Sequence, residues 1–249
     1  MSATSTPSDA AGLRIDVLTL FPEIFEPVLG SSITGRARDA GLVDWHITDI
    51  RRYADNKHNK VDDRPFGGGP GMVMMCQPLW DAVTDVEAQD ARPATRILLT
   101  PQGIPLSQSL VEDLAKKPRL LLMAGHYEGI DERVIERLEP LEISIGDYVL
   151  SGGEIPALAL IDAVVRLQPG ALGHADSAVE DSFSARGPED ERLLDCPHYT
   201  RPREWDNRTV PDVLVSGNHE KVAEWRLEQM RQRTRARRPD LLERTEDQP

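Results

Sequence analysis

The order of apolar runs along the chain limits its possible folds more than any other feature. Short stretches with the character of buried strands occur at 13–20 (LRIDVLTL), Val43–Asp49, Arg96–Thr100, Arg119–Gly125 and Glu142–Asp147. Between them lie helical patterns at Pro78–Glu87, Ser107–Lys117 and Asp131–Leu138, with Asp131 placed as an N-cap and Pro22 at a helix N1 position. Pro156–Gln168 reads PALALIDAVVRLQ, a helix so apolar that most of it must be buried. Strands alternating with helices of this length predict an α/β domain with a mostly parallel sheet.

The texture changes after Pro169. Glycines at 170, 173 and 187, prolines at 169 and 188, and the acids Glu180, Asp181, Glu189, Asp190, Glu191 and Asp195 read as a linker. Beyond it, Asn218 is placed to cap a helix running through Val222, Trp225 and Met230 into an arginine cluster. The expected organisation is a flexible tail at 1–12, an α/β domain at 13–170, a linker at 171–197 and a small helical domain at 198–249. There is no internal repeat and no coiled-coil heptad.

Composition excludes several classes. No apolar run approaches the roughly 18 residues that span a bilayer. The N-terminal MSATSTPSDAAG has neither the basic nor the apolar region of a signal peptide, and two cysteines, Cys76 and Cys196, make no disulfide framework. A cytoplasmic protein without a membrane partner is the expectation. The net charge of −13 argues against a nucleic-acid partner only if it is evenly spread, and it is not. Residues 198–238 carry ten Lys and Arg against six acids, while residues 1–197 carry 18 against 32. That basic segment is either a solvated helix end that complements its own dipole or a local footprint for a polyanion.

The familiar signatures of α/β enzymes are missing. There is no G-x-G-x-x-G, no Walker A sequence and no G-x-S-x-G elbow. His126-Tyr127-Glu128 imitates the H-x-E of zinc deaminases, but no P-C-x-x-C follows. The six histidines show no metal-ligand spacing. What remains are three glycine-bearing loops at predicted C-terminal strand ends, where open α/β sheets bind ligands. They are 101–103 (PQG), 125–129 (GHYEG) and 145–154 (IGDYVLSGGE). One such loop is usually a tight turn; three after three strands point to a shared site, and Tyr127 and Tyr148 within them suit a flat ligand. Upstream, residues 58–72 (HNKVDDRPFGGGPGM) read either as a loop that contacts phosphate or base, or as a turn that packs Met72, Met74 and Met75 into the core.

Seven motifs in order, VDDRPFGGGPGM, LTPQG, HYEGIDERV, SIGDYVLSGGE, EDSF, LLDCPHYTRP and LVSGNH, carry a family resemblance. From about Arg14 to about Leu242 the chain resembles the bacterial tRNA (guanine-37-N1)-methyltransferases, members of the trefoil-knotted SPOUT class. The resemblance implies a deep knot, S-adenosylmethionine as methyl donor, tRNA as substrate at G37 of the anticodon loop, and a homodimer. It implies cofactor contacts from Leu99, Thr100, Pro101, Gln102 and Gly103, from Gly125, Tyr127 and Glu128, and from Ile145, Gly146, Asp147, Tyr148, Val149, Leu150, Gly152, Gly153 and Pro156. Magnesium is associated with the family, but no ligand set can be read in this chain.

The chemistry of the implied reaction can be argued from guanine itself. N1 of neutral guanine carries a proton, so a base must remove it before N1 becomes a nucleophile, and the charge that then spreads to O6 needs a donor. The resemblance assigns the base to Asp181 and the O6 partner to Arg166. On composition alone Asp181 is one more solvated linker acid and Arg166 a snorkelling helix end. The chain departs from the family's usual pattern in three places: His126 replaces an arginine, Phe66 replaces a tyrosine, and the stretch Ser184–Arg192 is longer. Two alternatives are a knotted methyltransferase acting on another RNA site and a non-catalytic cofactor-binding RNA-binding protein.

Overall fold

In the computed structural model of the protein, residues 12–173, 181–183 and 192–242 are described. Residues 1–11 of the expected tail, much of the expected linker and all of the Ser184–Arg192 stretch except Arg192 lie outside them. Two compact units make up the chain, Met1–Gly173 and His174–Pro249.

The first unit runs β1 (Leu13–Thr19), α1 (Phe25–Leu29), α2 (Ser32–Asp39), β2 (Val43–Asp49), β3 (Asp62–Asp63), β4 (Val73–Met74), α3 (Cys76–Ala88), β5 (Thr95–Pro105), α4 (Gln108–Ala115), β6 (Arg119–Ala124), α5 (Glu132–Leu138), β7 (Leu141–Ser144) and α6 (Glu154–Val165). Five strands form one sheet in the order β2-β1-β6-β5-β7, and every pairing in it is parallel. Successive strand residues point to opposite faces. Accordingly Ile97, Leu99, Leu120, Leu122 and Ile143 join α6 and Val111 of α4 in one core, while Leu98, Leu121 and Met123 join Leu79, Val83 and Val86 of α3 and Val134 of α5 in another. Strands buried on both faces need continuous apolar sequence, which is why they read as runs instead of alternating patterns.

Two expected elements change length. The predicted strand at Arg96–Thr100 extends to Pro105 because the chain loops out and pairs again: Leu99 and Ile104 both lie opposite Ile143 of β7. The predicted strand at Glu142–Asp147 ends at Ser144, because its pairing with β5 stops there. Caps fall where the side chains allow. Asp131 accepts from the backbone N–H of Arg133, and Ser107 from that of Leu110. Pro22 opens a short 3-10 turn. Helix α6 starts two residues before Pro156, which sits harmlessly in the first turn, where its missing N–H needs no partner.

The second unit holds a two-stranded ribbon, β8 (Glu204–Trp205) and β9 (Arg208–Thr209), and α7 (His219–Arg237), whose Asn218 cap accepts from the N–H of Lys221 at 3.1 Å. Thr234 is the buried residue of α7; its hydroxyl donates to the Met230 carbonyl and accepts from Leu194 N–H. Among the described residues, no helix is long and apolar enough to cross a membrane.

Candidate active site

Because β6, β5 and β7 are neighbours, their C-terminal ends place three loops side by side. Those loops line a cavity of about 400 Å³, within the range of small-molecule sites. Leu99–Gln102, Gly125 to Glu128, Ile145–Gly146, Tyr148–Leu150, Gly152–Gly153 and Pro156 face it. Of the residues expected there, Gly103 and Asp147 do not. Gly103 serves the sheet instead. A Cβ on it would stand 2.3 Å from the Ile143 nitrogen, so only glycine lets the looped-out segment rejoin β7.

The middle loop is held from below. Residues 72–74 run alongside 128–131, with Glu128 N–H donating to the Met72 carbonyl, Met74 N–H to Gly129 and Asp131 N–H to Met74. Tyr127 adopts a left-handed φ of 62°, uncommon for a non-glycine residue. Burial, and then the nearby Asp62 carboxylate, push its phenol above the ordinary tyrosine range. The two readings of residues 58–72 divide between two parts of the segment. Met74 enters the core with Met72 and Met75 half-buried, whereas residues 56–60 and the glycines at 67–69 are exposed. Phe66 projects at 97% exposure.

The third loop meets the second through Gly152 and Gly153. Gly153 N–H donates to the Gly125 carbonyl at 2.8 Å, and a Cβ on Gly153 would lie 2.7 Å from Ala124 Cα. Beneath them lies a hydrogen-bonded pair that sequence reasoning missed: His126 Nε2 stands 2.9 Å from Glu154 Oε2. In sequence Glu154 reads only as the last residue of the third glycine-bearing loop, ahead of the apolar helix expected from Pro156. The cavity's charge is one-sided. Glu128, Glu132 and Glu142 line it, and among the described residues no Lys or Arg does. Such a site suits a ligand that carries positive charge and is unsuited to a phosphate-rich one.

Arg166 is the half-buried C-cap of α6, its N–H bonded to the Asp162 carbonyl. Asp181 belongs to the second unit, in a segment fixed by three bonds: Phe183 N–H to the Leu193 carbonyl, Asp195 N–H to Ser182 Oγ, and Arg192 Nη1 to the Phe183 carbonyl. The second unit has its own cavity, about 460 Å³, whose lining includes Arg201, Arg203 and Arg226 beside Tyr199 and Val222. The Tyr199 ring lies 6.3 Å from that of Trp225. Its polarity is opposite to that of the first cavity.

The sequence showed no ligand spacing among the histidines, yet the fold gathers Asp195, Cys196 and His198, with ligand atoms within 4.8 Å of one another. His198 Nε2 already bonds Asp195 Oδ2 at 2.7 Å, and burial pushes the Cys196 thiol up, away from the thiolate a metal requires. A thiol and an imidazole do not fit magnesium, which prefers oxygen ligands.

Comparison with known proteins agrees with this architecture. Residues 13–244 match the family described as tRNA (Guanine-1)-methyltransferase TrmD. The chain is 54% identical over 231 residues to a tRNA (guanine-N(1)-)-methyltransferase of Brevibacillus brevis, covering 93% of this chain and 92% of the relative. It is 55% identical over 233 residues to a protein of the same description from Pseudomonas fluorescens, covering 94% and 91%. The similarity to the Rhodopirellula baltica protein of that description is 54% over 231 residues, covering 92% and 94%.

Proposed function

The chain belongs to the tRNA (guanine-1)-methyltransferase family, and we propose that it transfers a methyl group from S-adenosylmethionine to N1 of guanine 37 in tRNA. The observation that carries the donor assignment is the cavity at the ends of β5, β6 and β7. Its bare glycine backbone admits close approach, and its acids, with no Lys or Arg beside them among the described residues, favour a cationic ligand over a dinucleotide. When bound, S-adenosylmethionine supplies an electrophilic methyl on a sulfonium.

The rest of the work falls to the chain's own side chains. In this reading Asp181 accepts the N1 proton of the guanine, and Arg166 donates to O6 as charge develops there. Phosphates are placed at the basic face of the second unit, where Arg201, Arg203 and Arg226 gather beside an aromatic side chain. Tyr148, Val149 and Leu150, which line the first cavity, are exposed, an apolar group that supports its being covered by a second copy of the chain. The path from edge strand β7 back to the end of β6, through Gly153 and into α6, supports the knotted connection of the family.

The test is incubation of the full chain with labelled S-adenosylmethionine and tRNA transcripts bearing G or A at position 37. Label is expected in the first transcript alone. Equal labelling would overturn the positional assignment, and absence of label from both would overturn the enzymatic one.

A further inference from the structure

We propose that His126 is a positioning residue which, through Glu154, fixes the spacing between two of the three cavity loops, and so the affinity for the ligand they hold. The inference rests on the cofactor reading above. Glu154 is 3% exposed, and a carboxylate so buried requires partners for its oxygens. It has one on each. The Thr19 hydroxyl donates to Oε1 at 2.7 Å, and His126 Nε2 lies 2.9 Å from Oε2. Thr19 Oγ1 in turn accepts from Phe21 N–H at 2.9 Å, so its single proton is committed to the carboxylate. Bonded to an acceptor-only carboxylate, His126 Nε2 carries the proton, which fixes the tautomer and the plane of the ring.

This chain of bonds ties together the end of β1, the loop after β6 and the first turn of α6, where the helix dipole favours an anion. The third cavity loop rests directly on it. A Cβ on Gly152 would stand 2.1 Å from His126 Nε2 and 2.5 Å from Glu154 Oε2, so the pair fills the space a side chain there would need. Residues 126 and 152 also form a backbone bridge. On its other sides the ring is packed by Phe21, with centroids 4.9 Å apart, and by the edge of Tyr127 at 5.9 Å. The imidazole is thus held on three sides by structural contacts, at the edge of the cavity. If its bond to Glu154 is lost, the carboxylate has reason to turn toward water, and the Gly152–Gly153 backbone loses its seat.

The experiment measures S-adenosylhomocysteine binding by calorimetry in the full chain and in two variants, alongside steady-state methyl transfer. His126→Leu keeps bulk without a donor; His126→Gln puts an amide N–H close to where Nε2 stands. For His126→Leu the dissociation constant and the S-adenosylmethionine KM are expected to rise about tenfold, with kcat falling at most about twofold. His126→Gln is expected to stay within about threefold of the unaltered chain. Unchanged binding by the leucine variant, equal loss in both variants, or a fall in kcat at constant KM would each overturn the inference. Should the leucine variant fail to fold, Thr19→Val removes the other support of the same carboxylate and is expected to weaken binding about threefold; unchanged binding there would overturn the inference equally. Absence of binding by the unaltered chain would overturn the cofactor reading, and this inference with it.

Discussion

At the scale of single residues, composition says little about the role proposed for Asp181. Asp181 is one acid among 42, in a stretch rich in acids and glycine, and what sets it apart is the support of its segment. Ser182 and Phe183 are bonded to residues 192–195, and Phe183 takes a left-handed φ of 70°. A backbone fixed this firmly beside a carboxylate suits a group that must meet a proton at a set position. Asp181→Asn preserves the shape of the side chain and abolishes its basicity. The expected result is cofactor affinity close to that of the unaltered chain and turnover lowered by a factor of about 10²–10⁴, the usual worth of a positioned general base. Turnover unchanged in single-turnover assays would remove Asp181 from the reaction. Gly103 gives the converse lesson. The resemblance implies a cofactor contact there, and the fold shows a structural need for the same glycine: the close approach that lets β5 resume beside β7.

At the scale of elements, the sheet is fastened at its N-terminal edge by charges that the functional site does not use. Arg119, in β6, is completely buried and bonds Asp16 of β1 at 2.7 Å. Its remaining nitrogens donate to the carbonyls of Val86, Glu87 and Asp90, which end α3 and begin the turn beyond it. One side chain therefore joins two strands and satisfies carbonyls that the helix leaves open. Arg119→Met would strand those carbonyls and leave the buried Asp16 carboxylate with Arg14 as its remaining side-chain partner among the described residues. A loss of about 3–5 kcal/mol is expected, read as a lower urea midpoint with an unchanged slope. A shift worth less than about 1 kcal/mol would show that Arg14, 2.8 Å from Asp16, can carry the load alone. None of this was legible in sequence. Arg119 opens a strand as any solvated arginine does, and its burial is decided by α3, some thirty residues earlier in the chain. The strands themselves were legible, because two-sided burial demands apolar runs, and so were Asp131 and Asn218, because capping is local chemistry. The re-entry of β5 was not, since it depends on pairing with a strand not yet reached. The three glycine-bearing loops were legible as a group, while the His126–Glu154 pair was not, because its partners lie 28 residues apart and meet only when the loops close.

At the scale of the whole molecule, a net charge of −13 has to be reconciled with a polyanionic substrate. Long-range attraction would be weak or repulsive, so capture must depend on local patches that act within a Debye length of about 8–10 Å. The two cavities divide the charge accordingly, the first lined by acids without Lys or Arg among the described residues and the second bearing three arginines. Helix α7 extends the basic region: Arg235 and Arg237 are exposed in its last turn, where cations also complement the helix dipole. A solvated helix end and an RNA footprint therefore predict the same positions and differ in what happens when the charge is reversed. If the arginines serve only the helix, Arg235→Glu with Arg237→Glu costs some helical stability and leaves tRNA affinity as it was. If they neutralise phosphates, affinity should fall roughly tenfold or more at 0.15 M salt, and the slope of log affinity against log salt should flatten by about one to two. Filter binding or fluorescence anisotropy from about 0.05 to 0.3 M salt separates the two outcomes. S-adenosylhomocysteine binding by the same variant should not change, because the cavity assigned to the cofactor lies wholly in the first unit. A parallel loss of cofactor affinity would mean that the variant had disturbed the fold and had not merely removed a phosphate contact. An acidic protein can in this way bind RNA through a small basic surface, and its affinity should then be unusually sensitive to the loss of any two charges within it.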